Sequence, residues 1–125
     1  MDREVERPGG SVAEDEASDH ERALLCARCR NAITDLDAKI EMSGAHEHVF
    51  CNPHGHVFRI GCFAEAPGAA SSGAAEAFFS WFPGYDWRVA VCRRCLAHLG
   101  WSFGNEAFWG LVLDALVIGD ERSLP

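Results

Sequence analysis

Short apolar runs separated by turn-forming residues follow one another along most of the chain. Residues 48–51 and 56–63 are rich in β-branched and aromatic side chains, and the Asn-Pro-His-Gly sequence at 52–55 is typical of a turn. Together they predict a β-hairpin. Residues 39–42 alternate polar and apolar side chains, and residues 87–91 form an apolar run that leads into a pair of cysteines. Both segments predict further strands.

The remaining segments complete a mainly β prediction. Residues 108–118 are strongly apolar, and although periodicity alone does not distinguish a strand from a helix there, Gly110 and the β-branched side chains favour a strand. Residues 67–75 are almost all Gly, Ser and Ala, which predicts a mobile loop. Residues 1–21 are acidic with almost no large apolar side chains, which predicts a disordered tail. We expect one mostly antiparallel domain over residues 22–125.

Composition narrows the classes of partner. The 125 residues are enough for one modest core. The formal charge of -8 argues against nucleic acid and against an anionic membrane surface, both of which require clustered Lys and Arg. No apolar run is long enough to span a bilayer, and the charged residues after Met1 exclude a secretory signal. We therefore expect a cytoplasmic protein whose six cysteines are metal ligands or free thiols rather than disulfides.

Two Cys-x-x-Cys pairs form the clearest chemical signature, at Cys26-x-x-Cys29 and Cys92-x-x-Cys95. Each pair can hold one side of a tetrahedral zinc ion, and four thiolates leave no open position, so the predicted site is structural. The ion would clamp the start of the domain to its later strands. A redox-active Cys-x-x-Cys is the alternative, but neither motif opens a helix after a parallel strand.

The other histidines and cysteines have weaker signals. The hairpin region carries two pairs with i, i+2 spacing, His46 with His48 and His54 with His56. A second metal site there is disfavoured because no carboxylate completes a ligand set, so we interpret most of them as surface or hairpin residues. His98 is predicted to be packed and hydrogen-bonded. Cys51 and Cys62 are predicted to be buried, inert thiols, since a disulfide between them is disfavoured in a reducing compartment.

An aromatic stretch centred on a Pro-Gly turn calls for a functional explanation. Trp81 and Trp87 flank the turn at 82–85, and Trp101 returns toward them after the second cysteine pair, whereas Trp109 fits the core. Three indoles at the rim of a sheet would form an open box with apolar walls. Such a box could hold a cation against the negative ring faces, or a cyclic amide or imide whose polar groups pair with the backbone of Phe79 and Trp81.

From Cys26 to about Leu116 the chain resembles the thalidomide-binding (CULT) domain family, which includes the C-terminal domain of cereblon and domains that occur alone in bacteria. The matching residues, in order, are Cys26-x-x-Cys29, His48-x-Phe50-x-Asn52-Pro53-x-Gly55, Ser80-Trp81-Phe82-Pro83-Gly84-Tyr85-x-Trp87, Cys92-x-x-Cys95, His98-x-Gly100-Trp101-x-Phe103 and Phe108-Trp109-Gly110-Leu111. They cover nearly the whole predicted domain. We expect a stand-alone homologue of the bacterial type, so the degradation role of cereblon is not carried over.

The resemblance implies two antiparallel sheets pinned by one structural zinc ion, the β-tent fold, with the four paired cysteines as ligands. It also implies a ligand site formed by Asn52, Phe79, Ser80, Trp81, Trp87, Trp101 and Phe103. The three tryptophans become cage walls, with Phe103 at the floor or side and Asn52 on a hairpin lid. Two positions depart from the family pattern. The family often has Tyr at the position of Phe103, and cereblon has His at the position of Phe79.

The implied function is non-catalytic binding of cyclic imides, such as glutarimides and thalidomide analogues, of uracil-like rings, and of modified peptide termini. Two alternatives stay open from the residues. One is a structural zinc module that docks a protein. The other is an enzyme like the zinc-containing methionine sulfoxide reductases, for which Cys51 and Cys62 are the spare cysteines. Neither of them lies in the Arg-aromatic-Cys-x-Asn setting of that enzyme class.

Overall fold

The computed structural model describes residues 22–119, so the predicted acidic tail at 1–21 lies outside the described residues. Within this range the chain forms nine strands and two short 3-10 helices. They are β1 (Ala23–Cys26), β2 (Ala32–Asp35), a 3-10 helix (Leu36–Ala38), β3 (Glu47–Cys51), β4 (Val57–Phe63), β5 (Ala69–Glu76), β6 (Trp87–Cys92), β7 (His98–Phe103), β8 (Phe108–Val112), a 3-10 helix (Leu113–Ala115) and β9 (Leu116–Ile118). No helix in this range is long and apolar enough to cross a membrane.

The strands form two antiparallel sheets, which confirms the predicted fold class. A three-stranded sheet has the order β2-β1-β9, and a six-stranded sheet has the order β3-β4-β8-β7-β6-β5. The predicted hairpin is β3 and β4, paired from Glu47 opposite Gly61 to Cys51 opposite Val57. The predicted strand at 87–91 is β6.

The large sheet carries a separate apolar cluster on each of its faces. One face packs against the small sheet through residues such as Leu24, Ile33 and Trp109, which is 5% exposed and belongs to the core as predicted. The other face carries an aromatic cluster built around Phe82 and Phe103, to which the small sheet contributes no residue. Successive side chains of a strand point to opposite faces, so neighbouring residues of one strand can serve the two clusters.

The predicted mobile loop at 67–75 is wrong, because Ala69–Glu76 forms strand β5 at the edge of the large sheet, paired with β6. At the start of this strand the small residues reflect a close approach to the small sheet rather than flexibility. Ala69 is buried, and a Cβ added to Gly68 would overlap the backbone carbonyl of Ala32 in the small sheet. Composition alone does not separate these two reasons for a run of small residues.

Two other strand predictions hold only in part. Residues 39–42 form isolated bridges, Lys39 with Phe63 and Met42 with Ala45, instead of a strand. Residues 108–118 are extended at both ends but interrupted by the 3-10 helix at Leu113–Ala115. The interruption has a topological cause, since β8 belongs to the large sheet and β9 to the small one. The chain must turn between them to join the two sheets.

The aromatic cluster should depend strongly on Phe82, which is 3% exposed and meets the rings of Phe103 and Phe108 edge to face at 5.0 and 5.2 Å. We expect Phe82→Ala to lower the free energy of unfolding by about 3–5 kcal/mol, because it leaves a cavity among packed rings. Urea unfolding would measure the loss. Phe78→Ala is the matched control, since Phe78 is 75% exposed and its loss should change stability by less than about 0.5 kcal/mol. Equal effects of the two variants would contradict the assignment of Phe82 to the core.

Candidate metal centre and aromatic cavity

The four paired cysteines come together where the two sheets meet. Cys26 ends β1 and Cys92 ends β6, and each partner, Cys29 or Cys95, lies in the turn that follows. All four sulfur atoms lie within 4.8 Å of one another. The Sγ atoms of Cys26 and Cys95 are 3.7 Å apart, and those of Cys29 and Cys92 are 3.6 Å apart. Tetrahedral zinc with Zn–S bonds of about 2.3 Å requires sulfur separations of about 3.8 Å, so this cluster fits such an ion.

Hydrogen-bond donors already point at one of these sulfurs. The Arg94 backbone N–H donates to Cys92 Sγ at 3.3 Å, and the Asn31 side-chain amide donates to the same sulfur at 3.6 Å. Burial raises the pKa of the Cys92 thiol, but the backbone N–H groups of Cys95 and Arg94 outweigh it and lower the pKa to about 7. Partial burial raises the pKa of the Cys29 thiol to about 12. A bound divalent cation would stabilise the thiolate form of all four ligands.

A cavity of about 520 Å³ opens on the aromatic face of the large sheet. Its lining is Asn52, Pro53, His54, Phe79, Trp81, Trp87, Trp101 and Phe103. Six of the seven residues predicted to bind a ligand therefore lie around one space, and Ser80 is the exception. Pro53 and His54 were not predicted, although their place in the same hairpin turn as Asn52 gave a signal for them.

The large sheet supplies the floor and two walls of the cavity by strand register. Trp101 and Phe103 lie two residues apart on β7 and therefore share a face. Trp87 opens β6 directly opposite Phe103, so its side chain points to that same face. Phe103 is 1% exposed and forms the floor, while the two tryptophans are half-buried.

The third wall, Trp81, packs against rings from the hairpin and from β7. Its indole stacks on Phe50 at 4.8 Å with an interplanar angle of 9°, and meets Trp101 edge to face at 4.7 Å. Phe58 lies edge to face with Trp101 at 5.1 Å, and His98 does so at 4.9 Å. Phe50 was part of the sequence motif, but its support of Trp81 from strand β3 could not be predicted because that contact depends on tertiary structure.

Local hydrogen bonds close the loop that joins Phe78 to Trp87. The indole Nε1–H of Trp87 donates to the Phe78 carbonyl at 2.7 Å, and the Tyr85 N–H donates to the Phe82 carbonyl at 3.0 Å across the predicted Pro-Gly turn. Gly84 has φ of 93°, the left-handed value that this turn requires. The Ser80 hydroxyl donates to the Tyr85 carbonyl at 2.7 Å. Ser80 therefore braces the loop behind the cavity wall.

The hairpin turn at 52–55 forms one side of the cavity opening. The Asn52 side-chain oxygen accepts hydrogen bonds from the backbone N–H groups of His54 and His56, at 3.0 and 2.9 Å. Gly55 has φ of 89°, which suits a tight turn. With its oxygen engaged in this way, Asn52 can offer only its amide NH₂ group to a ligand.

Three histidines outside the cavity make local hydrogen bonds through their rings. A ring nitrogen of His46 lies 3.1 Å from the Ile40 carbonyl, and one of His48 lies 2.8 Å from the Met42 carbonyl. His98 bonds the Gly100 carbonyl at 3.0 Å, as predicted, but the residue is exposed rather than enclosed. Across residues 22–119, the four cysteines are the one group of three or more potential metal ligands close enough to share an ion.

The two cysteines outside the cluster differ from each other. Cys62 is buried as predicted, and burial raises the pKa of its thiol to about 11. The prediction of a buried Cys51 is wrong, because this residue lies on the exposed face of edge strand β3. The two thiols are free, and in strand register Cys51 faces Val57 whereas Cys62 faces Gly110.

The fold and cysteine cluster define a small, mainly β domain whose two sheets meet at four thiols that could hold a metal ion. No family model matches the sequence. Cereblon of Danio rerio is 32% identical over 106 residues, covering 76% of this chain and 24% of the relative. Cereblon of Xenopus tropicalis is 36% identical, covering 75% and 23%, and that of Drosophila mojavensis is 30% identical, covering 80% and 16%.

The chain is a cereblon-like CULT domain, which confirms the resemblance inferred from its motifs. It spans about a quarter of the length of the vertebrate relatives given above. The bacterial-type, stand-alone form remains a prediction.

Removing one thiol of the cluster should abolish metal binding and folding together, because the binding energy of a structural zinc site is folding energy. We expect Cys92→Ser to lose zinc and to show no cooperative thermal transition. Metal analysis and circular dichroism on the same sample would measure both. Cys51→Ser is the matched control, since this exposed thiol lies outside the cluster and its loss should change neither property. A folded, zinc-loaded Cys92→Ser protein would contradict a structural role.

The two thiols outside the cluster should differ sharply in reactivity. With the metal site loaded, a disulfide reagent at pH 8 should modify Cys51 rapidly and leave Cys62 unmodified in the native state. Cys62 has no exposed surface, and a pKa of about 11 leaves roughly one thiol in a thousand ionised at that pH. Mass spectrometry of timed samples would assign the site. Modification of Cys62 at a rate comparable with Cys51 would show that the aromatic cluster opens readily.

Proposed function

We propose that this domain binds a cyclic imide or a uracil-like ring in the aromatic cavity, and that a single zinc ion held by the four cysteines stabilises the fold. The observation that carries the proposal is the convergence of three indoles and Phe103 on one cavity of about 520 Å³. Flat apolar walls suit a small ring that stacks or packs edge-on against them.

Backbone polar groups beside the cavity support an imide in particular. Among residues 22–119, neither the Phe79 carbonyl nor the Trp81 N–H has a protein hydrogen-bond partner, whereas the adjacent Phe78 carbonyl and Phe82 N–H are both engaged. An imide presents one N–H between two carbonyl oxygens. The Phe79 carbonyl would accept from that N–H, and the Trp81 N–H would donate to one of the oxygens.

The same backbone groups favour an imide over a simple cation. A quaternary ammonium could use the ring faces through cation–π attraction but has no use for the Trp81 N–H. The cavity lining also contains no carboxylate to neutralise a cation. The departures at Phe79 and Phe103 remove side-chain polar groups that relatives offer, and leave the backbone pair in place.

We infer a binding role rather than catalysis, because the cavity lining, as far as residues 22–119 form it, lacks a cysteine, serine or carboxylate. Its one titratable side chain is His54, in the exposed hairpin turn. The buried Cys62 has a pKa raised to about 11, which suits an inert thiol. Both properties argue against a sulfoxide reductase. Peptide ends that carry a cyclic imide present the same ring and are included among the proposed ligands.

The proposed site predicts a strong effect of a missing indole. A glutarimide ring of about eight heavy atoms should bind near the micromolar range. Trp101→Ala should weaken that affinity by about 30-fold or more, or about 2 kcal/mol, because truncation of an aromatic hot spot has costs of this size. Isothermal titration calorimetry would measure it, since the method does not depend on tryptophan emission. Zinc content should be unchanged.

Val49→Ala is the matched control, because Val49 is 66% exposed on the hairpin and does not line the cavity. Uracil and tetramethylammonium serve as competitors. Direct binding of the ammonium, with no binding of the glutarimide or of uracil, would identify a cation cage instead. If the folded, zinc-loaded protein binds none of the three compounds, the proposal fails and protein docking through the exposed rings of Phe78 and Phe79 becomes the better explanation.

A further inference from the structure

A second cavity adjoins the aromatic one. It has a volume of about 410 Å³ and is lined by Ala77, Phe79, Ser80, Pro83, Gly84, Tyr85 and Asp86. Phe79 is the one residue that lines both spaces, so the two cavities meet at this residue. It is 72% exposed on a backbone with φ of 57°, a left-handed conformation that is unusual for a large residue. A substituent on a ring held in the first cavity can therefore pass over Phe79 into the second.

The second cavity differs from the first in charge. Among the residues that the structure describes, its lining contains one carboxylate, Asp86, and no basic side chain, whereas the lining of the aromatic cavity contains no carboxylate. Within the described part of the chain, the ion pairs are those of Arg22 with Asp37 and of Arg59 with Glu47 and Asp114, so no Lys or Arg there neutralises Asp86. An accessible, unneutralised carboxylate beside an apolar box is a feature that the imide site alone does not explain.

Asp86 is also held in place. Its carbonyl accepts a hydrogen bond from the Gly104 N–H at 2.8 Å, and it lies between Tyr85, whose carbonyl is bonded by Ser80, and Trp87, whose indole is bonded to Phe78. The Tyr85 ring rests edge to face on Phe108 at 5.1 Å. The hydrogen bonds that shape the first cavity thus also fix the wall of the second, so the distance between them is a property of the folded domain.

We propose that the second cavity is a subsite for a positively charged substituent, attached directly or by a short linker to the ring bound in the first cavity. The preferred ligand is then a cyclic imide that bears an ammonium group, with the ring against the indoles and the ammonium near the Asp86 carboxylate. This inference rests on the proposed function. Because Asp86 is exposed, the ion pair should strengthen binding by about two- to five-fold and weaken as salt is added.

Calorimetry with three small probes tests the subsite: piperidine-2,6-dione, its 3-amino derivative, and the 3-acetamido derivative, which is larger and neutral. At about pH 6.5 the 3-amino group is mostly protonated. In the wild-type domain the amine should bind about two- to five-fold more tightly than the acetamide. The ratio should fall to about one in Asp86→Asn and at high salt. Asp114→Asn, which removes an exposed carboxylate outside both cavities, should keep the wild-type ratio.

The ratio of amine to acetamide affinity is unaffected by any general change that Asp86→Asn causes in the neighbouring Trp87. If piperidine-2,6-dione itself does not bind, the proposed function fails. If it binds and the amine shows no advantage in the wild type, or an advantage that Asp86→Asn preserves, the subsite proposal alone is overturned.

Two peptides that end in a cyclic imide, one with Lys and the other with norleucine before it, distinguish the possible sources of the cation. A Lys advantage that depends on Asp86 indicates polypeptide ends, and an advantage limited to the small amine indicates a free metabolite.

Discussion

The four-thiol cluster is the constraint on which the rest of this structure depends. It joins the turn after β1 in the small sheet to the turn after β6 in the large one, and β6 and β7 then carry Trp87 and Trp101 away from that turn on the opposite face. A metal ion at the cluster would fix the relative position of the two sheets and the hairpin that presents the two indoles. The cysteine cluster and the aromatic cavity are therefore linked through the same pair of strands, β6 and β7.

Because successive side chains of a strand point to opposite faces, the large sheet contributes residues both to the core between the sheets and to the aromatic cluster. Phe108 and Trp109 are neighbours on β8, yet the first belongs to the aromatic cluster and the second to the core between the sheets. Ser102, between the two cavity residues Trp101 and Phe103, is buried on the other face. A shift of one residue in the register of β7 would exchange these roles, so the bulge between β6 and β7 at Ala90 and Val91 bears directly on which rings reach the cavity.

Local sequence signals predicted the parts of this domain whose chemistry is local. The Cys-x-x-Cys pairs, the Pro-Gly turn and the Asn-Pro-His-Gly hairpin each occupy a few consecutive residues, and the structure forms all of them. Features that depend on distant neighbours were missed. Gly68, just before β5, closely approaches Ala32 of the small sheet, and Cys51 is exposed because it lies on the uncovered face of β3.

The loop from Phe78 to Trp87 explains how so small a domain can shape a binding site. Trp87 and Ser80 bond to backbone carbonyls within this loop, and these bonds hold it in a conformation that places Phe79 at positive φ. Within this loop the Phe79 carbonyl and the Trp81 N–H, one acceptor and one donor, have no partner among the described residues, whereas the Phe78 carbonyl and the Phe82 N–H are bonded. A positive φ at a large residue such as Phe79 is maintained only where surrounding contacts determine the backbone conformation. A ligand with a matching donor and acceptor would complete the hydrogen bonding of the loop. Because the fold has already ordered the loop, binding would lose little further conformational entropy.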